Sequence, residues 1–361
     1  MTRTPIKIIA EAGVNHNGDL ELAKKLVDAA FDAGADFIKF QTFRADSHIA
    51  PHARCADYQT RNIGKSQRMI DMVRKLELSF KAFKEIRLYA DKRGIIFIST
   101  AYEPQSIDFL NSLDVPFFKI PSGELTNAPL LLHFARQGKP LVMSTGMANI
   151  NEVQRSLGVL AFGLLGWDDK EVSRRAFVEA FASPEGQAAL LANVTLLHCV
   201  TEYPAPINQL NLRAIITLKD TFGLPVGYSD HSMGNTAPVA AVAMGAELIE
   251  KHLTISHDLD GPDHSASLEP NEFAAMVSDI HSTAFALGDG IKKPSESESA
   301  NIPLVRRSLY AAQPIHKGEL FTDRNLVAKR PGAGRSPFDY WKLLGSPASR
   351  NYKENELIDC D

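Results

Sequence analysis

Short apolar runs that end in polar residues recur along the chain, and amphipathic segments separate them. The runs begin without polar alternation, which is typical of strands buried on both faces of a parallel sheet. The segments between them, such as residues 20–33 and 236–244, carry apolar residues at helical spacing. This order predicts successive βα units. The predicted strands are residues 7–13, 36–42, 94–100, 117–123, 140–146, 194–200, 225–231 and 248–254.

Repeated βα units of this number predict a TIM (β/α)8 barrel, which typically takes about 250 residues. The crossover at residues 147–193 is longer than the others and predicts extra helices outside the barrel. A stretch rich in Gly, Lys, Ser and Glu follows the last barrel helix and indicates a linker. We therefore assign residues 1–287 to the barrel, 288–304 to the linker and 305–361 to a small β-rich domain.

Composition narrows the possible partners and compartments. The net charge of the 361 residues is −4, which gives no electrostatic reason to expect nucleic acid as a partner. The three cysteines match no zinc module and indicate a reducing compartment. No apolar run approaches the roughly 20 residues of a membrane span, and no signal core is recognisable. We expect a cytoplasmic protein without membrane or nucleic-acid partners.

Two histidines lie at or near the carboxyl ends of neighbouring predicted strands. His231 ends the seventh strand and His252 lies near the end of the eighth. Because a TIM barrel carries its active site at the carboxyl ends of the strands, both are expected at one mouth. Neutral imidazoles bind divalent metals, and two protein ligands leave positions open for water and substrate. The alternative is that each histidine is an ordinary hydrogen-bonding residue.

Lysines and hydroxyls form a second set at the same mouth. Lys39 and Lys119 sit on inward-facing strand segments, where an unpaired ammonium group is rarely buried. Together with hydroxyls they predict a site for a small dianion that carries a phosphate and a carboxylate. The alternative is that a lysine pairs with Glu11, Glu124 or Glu250. The hydroxyl candidates are Thr100, Ser122, Ser144 and Ser229.

Two carboxylates are candidates for proton transfer or ligand binding. Glu11 ends the apolar part of the first strand and can accept a proton from an activated water, or else only orient a lysine. Asp263 follows a Gly-Pro turn after the eighth strand and can face a metal or a polyol. An isolated aspartate of this kind also occurs simply as a turn residue.

Seven motifs in order along the chain resemble the sialic acid synthase family, and the C-terminal residues resemble its antifreeze-like (SAF) domain. The resemblance covers nearly the whole chain, apart from the long crossover. The motifs are EAGVNHNG from Glu11, KFQT from Lys39, KIPSGE from Lys119, STGM from Ser144, YSDH from Tyr228, EKH from Glu250 and GPDH from Gly261.

The resemblance implies a synthase that condenses phosphoenolpyruvate with an N-acylated hexosamine and water, and releases phosphate by C–O cleavage. His231 and His252 would hold a divalent ion, Mn²⁺ or alternatively Mg²⁺ or Co²⁺, and Glu11 would be the base. The cation and hydroxyl sets would hold phosphoenolpyruvate. The catalytic set would also include Asp263. The remaining substrate-binding residues would be Gln41, Glu124, Thr201, Tyr203, Glu250 and Arg330.

The resemblance also bears on Thr201, on Arg330 and on the choice of sugar. Thr201 stands where some members have Asn, so it is a weaker candidate for the phosphate site. Arg330 would reach the N-acyl group from a partner subunit in a domain-swapped homodimer. The expected sugar is N-acetylmannosamine, giving N-acetylneuraminate; the alternative is 2,4-diacetamido-2,4,6-trideoxymannose, giving N,N'-diacetyllegionaminate.

Two interpretations from other classes stay open at this point. The first is a Schiff-base aldolase of the sialic acid lyase type with Lys39 or Lys119 as nucleophile, a reaction that needs no metal. The second is a non-enzymatic carbohydrate-binding protein built on an inactive barrel. A histidine pair argues against the aldolase, and polar residues at the end of every strand argue against the binding protein.

Overall fold

The computed structural model describes residues 6–57, 59–60 and 68–360. These residues divide into two compact units, one ending at Gly288 and the other beginning at Asp289. The boundary follows Gly288, the first residue of the predicted linker. The rest of the linker belongs to the second unit and includes a short helix, and a second short helix begins in it and ends at Val305. No helix among the described residues is long and apolar enough to cross a membrane.

The first unit is a closed barrel of eight parallel strands in sequence order, which confirms the predicted TIM barrel. Each strand pairs with the next along the chain, and β1 pairs with β8 to close it. The strands are β1 Lys7–Gly13, β2 Phe37–Thr42, β3 Ile96–Ala101, β4 Phe118–Ile120, β5 Leu141–Ser144, β6 Val194–Cys199, β7 Val226–Asp230 and β8 Leu248–His252.

Helices surround the barrel, and the long crossover between β5 and β6 contains three of them. Caps set helix starts: the Asp19 side chain accepts from Glu21 N at the first helix, and Asn149 forms a capping box with Glu152. The helices of this unit are α1 Leu20–Asp32, α2 Ala45–His48, α3 Met69–Leu76, α4 Phe80–Arg93, α5 Pro104–Ser112, α6 Ala128–Arg136, α7 Ile150–Leu164, α8 Arg174–Ala182, α9 Pro184–Asn193, α10 Ala214–Phe222, α11 Thr236–Ala243 and α12 Pro270–Ala286.

An apolar layer fills the inside of the barrel toward the amino ends of the strands. Its buried residues are Ile9, Ile98, Val142, Leu197 and Leu248. Side chains two residues apart on a strand point to the same side, so the next inward layer is polar. That next layer contains Glu11, Thr100, Ser144, Cys199 and Glu250. The apolar layer is therefore the floor of the mouth that the polar residues line.

Several strands are shorter than predicted. Strand β4 spans only Phe118–Ile120, and β7 ends at Asp230. Consequently Ser122 lies in a 3₁₀ turn and His231 lies directly after its strand. An apolar-to-polar pattern does not reveal where ladder hydrogen bonding stops, since strand ends and loop starts share polar residues.

The second unit contains a two-stranded antiparallel sheet and a small core of its own. Strand β9, Ser308–Ala311, pairs with β10, Leu326–Lys329. Leu309, Phe321 and Ile358 are among the residues that form the core. Its helices are α13 Glu296–Ser299, α14 Ile302–Val305 and α15 Tyr340–Leu343.

Candidate active site

Charged side chains from four strands form one buried network at the barrel mouth. Lys39 on β2 contacts the Glu11 carboxylate and lies 3.6 Å from Glu250 Oε2. Lys119 on β4 lies 3.3 Å from Glu250 Oε1, and all four side chains are nearly inaccessible to solvent. Lys39 Nζ also donates to Thr100 Oγ1 at 3.1 Å. Both lysines are therefore paired with carboxylates, which is the alternative that the sequence left open. Their partners are Glu11 and Glu250, and not Glu124.

The two carboxylates of this network have opposite proton affinities. Burial raises the pKa of Glu11 from 4.5 to about 7, against the opposing effect of Lys39. Burial also disfavours ionised Glu250, but Lys119 and Lys39 outweigh it and lower the pKa of Glu250. Ser229 Oγ donates to Glu250 Oε1 at 2.8 Å and further stabilises its charge. Two neighbouring carboxyls whose pKa values are shifted in opposite directions suit different roles. One remains ionised and anchors its partners, and the other exchanges protons near neutral pH.

A cradle of small polar groups lies beside Lys119. Ser122 Oγ accepts from Gly146 N at 3.0 Å and contacts Cys199 Sγ at 3.0 Å. A Cβ built on Gly146 would lie 2.3 Å from Thr201 Oγ1, so only glycine lets the chain pass this closely. Within the described part of the chain, the buried hydroxyls of Ser144 and Thr201 have no hydrogen-bond partner. Such groups are available to bind an anion.

The two histidines lie close together, with ring centroids 5.6 Å apart. The carbonyl of Val200 can only accept, so His231 Nδ1 carries the hydrogen and donates to it at 2.6 Å. His231 Nε2 then accepts from the hydroxyl of Tyr203 at 3.0 Å. His252 Nδ1 is buried and lacks a hydrogen-bond partner among the described residues, 4.0 Å from Asp263 Oδ2.

Both imidazoles are in the form that binds metals. Burial lowers the pKa of His231 to about 4 and that of His252 well below its usual 6.5, so both are neutral at pH 7. The carbonyl that fixes the His231 tautomer is the kind of outer partner that metal-ligating histidines have. No set of three His, Cys, Asp or Glu side chains among the described residues is placed to hold a metal. The two neutral imidazoles, with ring centroids 5.6 Å apart, can supply two of the donors that a divalent ion needs.

The residues expected to face the sugar are less tightly grouped. Tyr203 stacks on His231 with centroids 4.1 Å apart, and Gln41 Nε2 donates to Glu11 Oε1 at 3.2 Å. Burial raises the pKa of Asp263 to about 6. Glu124 is half-buried and accepts from Asn127 at 2.7 Å. Tyr203 and Gln41 thus lie beside His231 and Glu11, and Asp263 lies beside His252.

Arg330 belongs to the second unit, where its Nε donates to the carbonyl of Val305 at 2.8 Å. Sequence reasoning did not assign Gly146 or Cys199 to the site. Cys199 had a recognisable signal, because it lies two residues after inward-facing Leu197 on β6. Gly146 lies within the STGM motif, but the motif gave no sign of its close approach, which depends on residues distant in sequence.

Comparison with known proteins identifies the family of this chain. Residues 26–292 match the NeuB family, and residues 306–359 match the SAF domain. The chain belongs to the NeuB family. The N,N'-diacetyllegionaminic acid synthases of Campylobacter jejuni and Legionella pneumophila are 49% and 43% identical to it. These matches cover 97% and 95% of this chain, and 98% and 90% of the relatives.

A solved structure extends the likeness to three dimensions. The N-acetylneuraminic acid synthetase of Leptospira borgpetersenii, determined with citrate, superposes with a TM-score of 0.67 at 32% identity. The match covers 83% of this chain and 90% of that one. This NeuB protein is therefore an enzyme, a synthase of the sialic acid type. The finding favours the synthase over the aldolase and the non-enzymatic binding protein.

Proposed function

We propose that this enzyme condenses phosphoenolpyruvate with 2,4-diacetamido-2,4,6-trideoxymannose and water to give N,N'-diacetyllegionaminate and phosphate. The reaction is supported by one arrangement: two buried lysines, buried hydroxyls without hydrogen-bond partners among the described residues and two neutral imidazoles lie at the carboxyl ends of the barrel strands. The sugar is supported by identity of 49% and 43% to diacetyllegionaminic acid synthases, against 32% to the neuraminic acid synthetase. This replaces the initial expectation of N-acetylmannosamine.

Phosphoenolpyruvate would bind on the cationic side of the mouth. Lys119 and Lys39 supply positive charge for the phosphate and the carboxylate of the substrate. Unpartnered Ser144 and Thr201 supply donors that the substrate would satisfy. The hydroxyls of Thr100, Ser122 and Ser229 complete the set. Glu250 stays ionised and holds both lysines in place.

The sugar aldehyde would lie on the histidine side. We propose that His231 and His252 hold a divalent ion, Mn²⁺ or alternatively Mg²⁺ or Co²⁺, which when bound supplies a Lewis acid for the aldehyde carbonyl. Tyr203, Gln41, Glu124 and Asp263 would face the polar groups of the sugar.

The proposed reaction has three steps: formation of a C–C bond, addition of water and cleavage of a C–O bond. C3 of phosphoenolpyruvate forms a bond to the aldehyde carbon, whose oxygen takes up a proton. Water adds at C2, and Glu11 accepts the proton that this water loses. The C–O bond to phosphate then breaks as the C2 hydroxyl loses its proton to the departing phosphate, leaving the keto group. The addition of water requires Glu11 in its ionised form. The raised pKa of Glu11 lets it accept a proton near neutral pH.

We also propose a homodimer in which Arg330 of a partner subunit's SAF domain reaches the N-acyl group, and a cytoplasmic location. The three cysteines are free thiols, which supports a reducing compartment. Arg330 lies after β10 and is the residue through which the C-terminal unit would contribute to sugar binding.

The proposal is tested by phosphate release from phosphoenolpyruvate with the two aldoses assayed side by side. We expect kcat/KM for the 2,4-diacetamido sugar to exceed that for N-acetylmannosamine by at least about a hundredfold, since a mispaired polar group costs several kcal/mol. His252→Ala is the matched inactive control. A preference for N-acetylmannosamine would overturn the sugar, and release with neither sugar would overturn the reaction.

A further inference from the structure

Two charged residues beside the histidines have no part in the chemistry described so far. Asp230 precedes His231, and Lys251 precedes His252. They lie opposite each other in the register of β7 and β8. Their neighbours Ser229 and Glu250 meet inside the barrel, so Asp230 and Lys251 lie on its outer face, beneath the helices.

Both side chains of this pair form hydrogen bonds in addition to their ion pair. Lys251 Nζ lies 2.5 Å from Asp230 Oδ2 and also donates to the Ser232 carbonyl. Asp230 Oδ1 accepts from the Tyr228 hydroxyl at 2.9 Å, from Ser232 N at 3.0 Å and from Ser232 Oγ at 2.8 Å. One carboxylate thus ties together the residues on both sides of His231, and the lysine joins them to the strand that carries His252.

Stability alone does not account for this pair. Among the ion pairs of the described residues, it alone has both side chains wholly buried. Removing two charges from water is costly, and an apolar pair of similar volume is often at least as stable. A buried ion pair does, however, fix geometry, because its bonds are satisfied in only one arrangement.

We propose that the Asp230–Lys251 pair is a positioning clamp that sets the spacing and orientation of His231 and His252 for a shared divalent ion. The inference rests on the proposed metal role of the two histidines. His231 is held from inside by the Val200 carbonyl at 2.6 Å and from outside by the Asp230–Ser232 bonds. Through Lys251 the same clamp holds the end of β8, where His252 lies.

The test is Mn²⁺ affinity, measured from the paramagnetic resonance signal of free ion. Lys251→Met alone would bury an unpaired carboxylate and is expected to fold poorly. The principal variant is therefore Asp230→Asn with Lys251→Met, which removes both charges and keeps an acceptor for Tyr228 and Ser232. Ser232→Ala is a milder second variant that keeps the ion pair. Lys219→Met is the matched control, because Lys219 and Glu247 form an exposed pair at 3.0 Å.

We expect the double variant to bind Mn²⁺ about 10–100-fold more weakly than wild type, as loss of outer-shell partners usually does. Its kcat should fall while KM for phosphoenolpyruvate changes little, and its melting temperature should stay near that of wild type. Ser232→Ala should weaken Mn²⁺ binding several-fold, and Lys219→Met not at all.

Unchanged Mn²⁺ affinity in a folded double variant, whatever its melting temperature, would overturn the clamp. If the double variant fails to fold, unchanged affinity in Ser232→Ala would do the same. A different result concerns the metal site itself: wild type that binds no Mn²⁺, or binds it no better than His252→Ala does, would overturn the histidine assignment and the clamp with it.

Discussion

The pH dependence of this enzyme should be governed by Glu11. Burial raises its pKa from 4.5 to about 7, with Glu250 acting in the same direction and Lys39 and Lys119 opposing it. Because the base must be ionised, kcat/KM for the sugar should rise with pH through this value. The ionised fraction grows from about one tenth at pH 6 to about nine tenths at pH 8, which predicts a rise of about tenfold.

The same shift has a consequence for stability. Folded Glu11 holds its proton at pH values where the unfolded chain has lost it, so the folded state binds more protons between pH 4.5 and 7. The contribution of Glu11 to stability should therefore fall as pH rises through that window, whereas the lowered pKa values of His231 and His252 give contributions that rise with pH below 6.5. The shift of the Glu11 pKa corresponds to about 3 kcal/mol.

The assay is phosphate release at saturating Mn²⁺ from pH 5.5 to 8.5, for wild type and Glu11→Gln. The variant should lose about 10²–10⁴-fold in kcat and the rising limb near pH 7 with it. Asp263→Asn is the control, since Asp263 has a pKa raised to about 6 and would give a limb one unit lower. A flat wild-type profile, or a limb at pH 7 that persists in Glu11→Gln, would refute the assignment of Glu11 as base.

Three further changes test other parts of the site. Gly146→Ala places a Cβ 2.3 Å from Thr201 Oγ1, so KM for phosphoenolpyruvate should rise about tenfold or more while KM for the sugar changes little; equal changes in steady-state kinetics would contradict this. His231→Ala should abolish Mn²⁺ binding in a folded protein, and retained stoichiometric binding by calorimetry would contradict it. Arg330→Ala should raise KM for the sugar more than for phosphoenolpyruvate, and equal effects would count against its cross-subunit role.

Much of the fold can be predicted from the sequence because the spacing of apolar residues along the chain reflects which side chains are buried. Apolar runs that end in polar residues identified all eight strands and the mouth they share. Their ends were less certain: His231 lies just after β7, since polarity changes at the mouth whether or not hydrogen bonding continues. The segment predicted as a linker includes α13 and all but the last residue of α14, whose short lengths give no amphipathic repeat to detect.

The pairing of charges could not be obtained from the sequence. Each lysine had three candidate carboxylates, and the choice of Glu11 and Glu250 over Glu124 depends on which strands become neighbours on closing the barrel. The preference among sugars is likewise absent from strand patterns. The identity of 49% and 43% to N,N'-diacetyllegionaminic acid synthases bears on it more directly than any single motif.

Strand alternation explains why adjacent residues in one motif have different duties. In the motif that starts at Tyr228, Ser229 faces the mouth and bonds Glu250, whereas Asp230 faces outward and bonds Lys251. The histidine that follows is thus held between an inner and an outer set of bonds. A consecutive run of polar residues at a strand end accordingly faces two layers at once: under the proposed function the inner positions would contact substrates, and the outer positions would hold the inner ones in place.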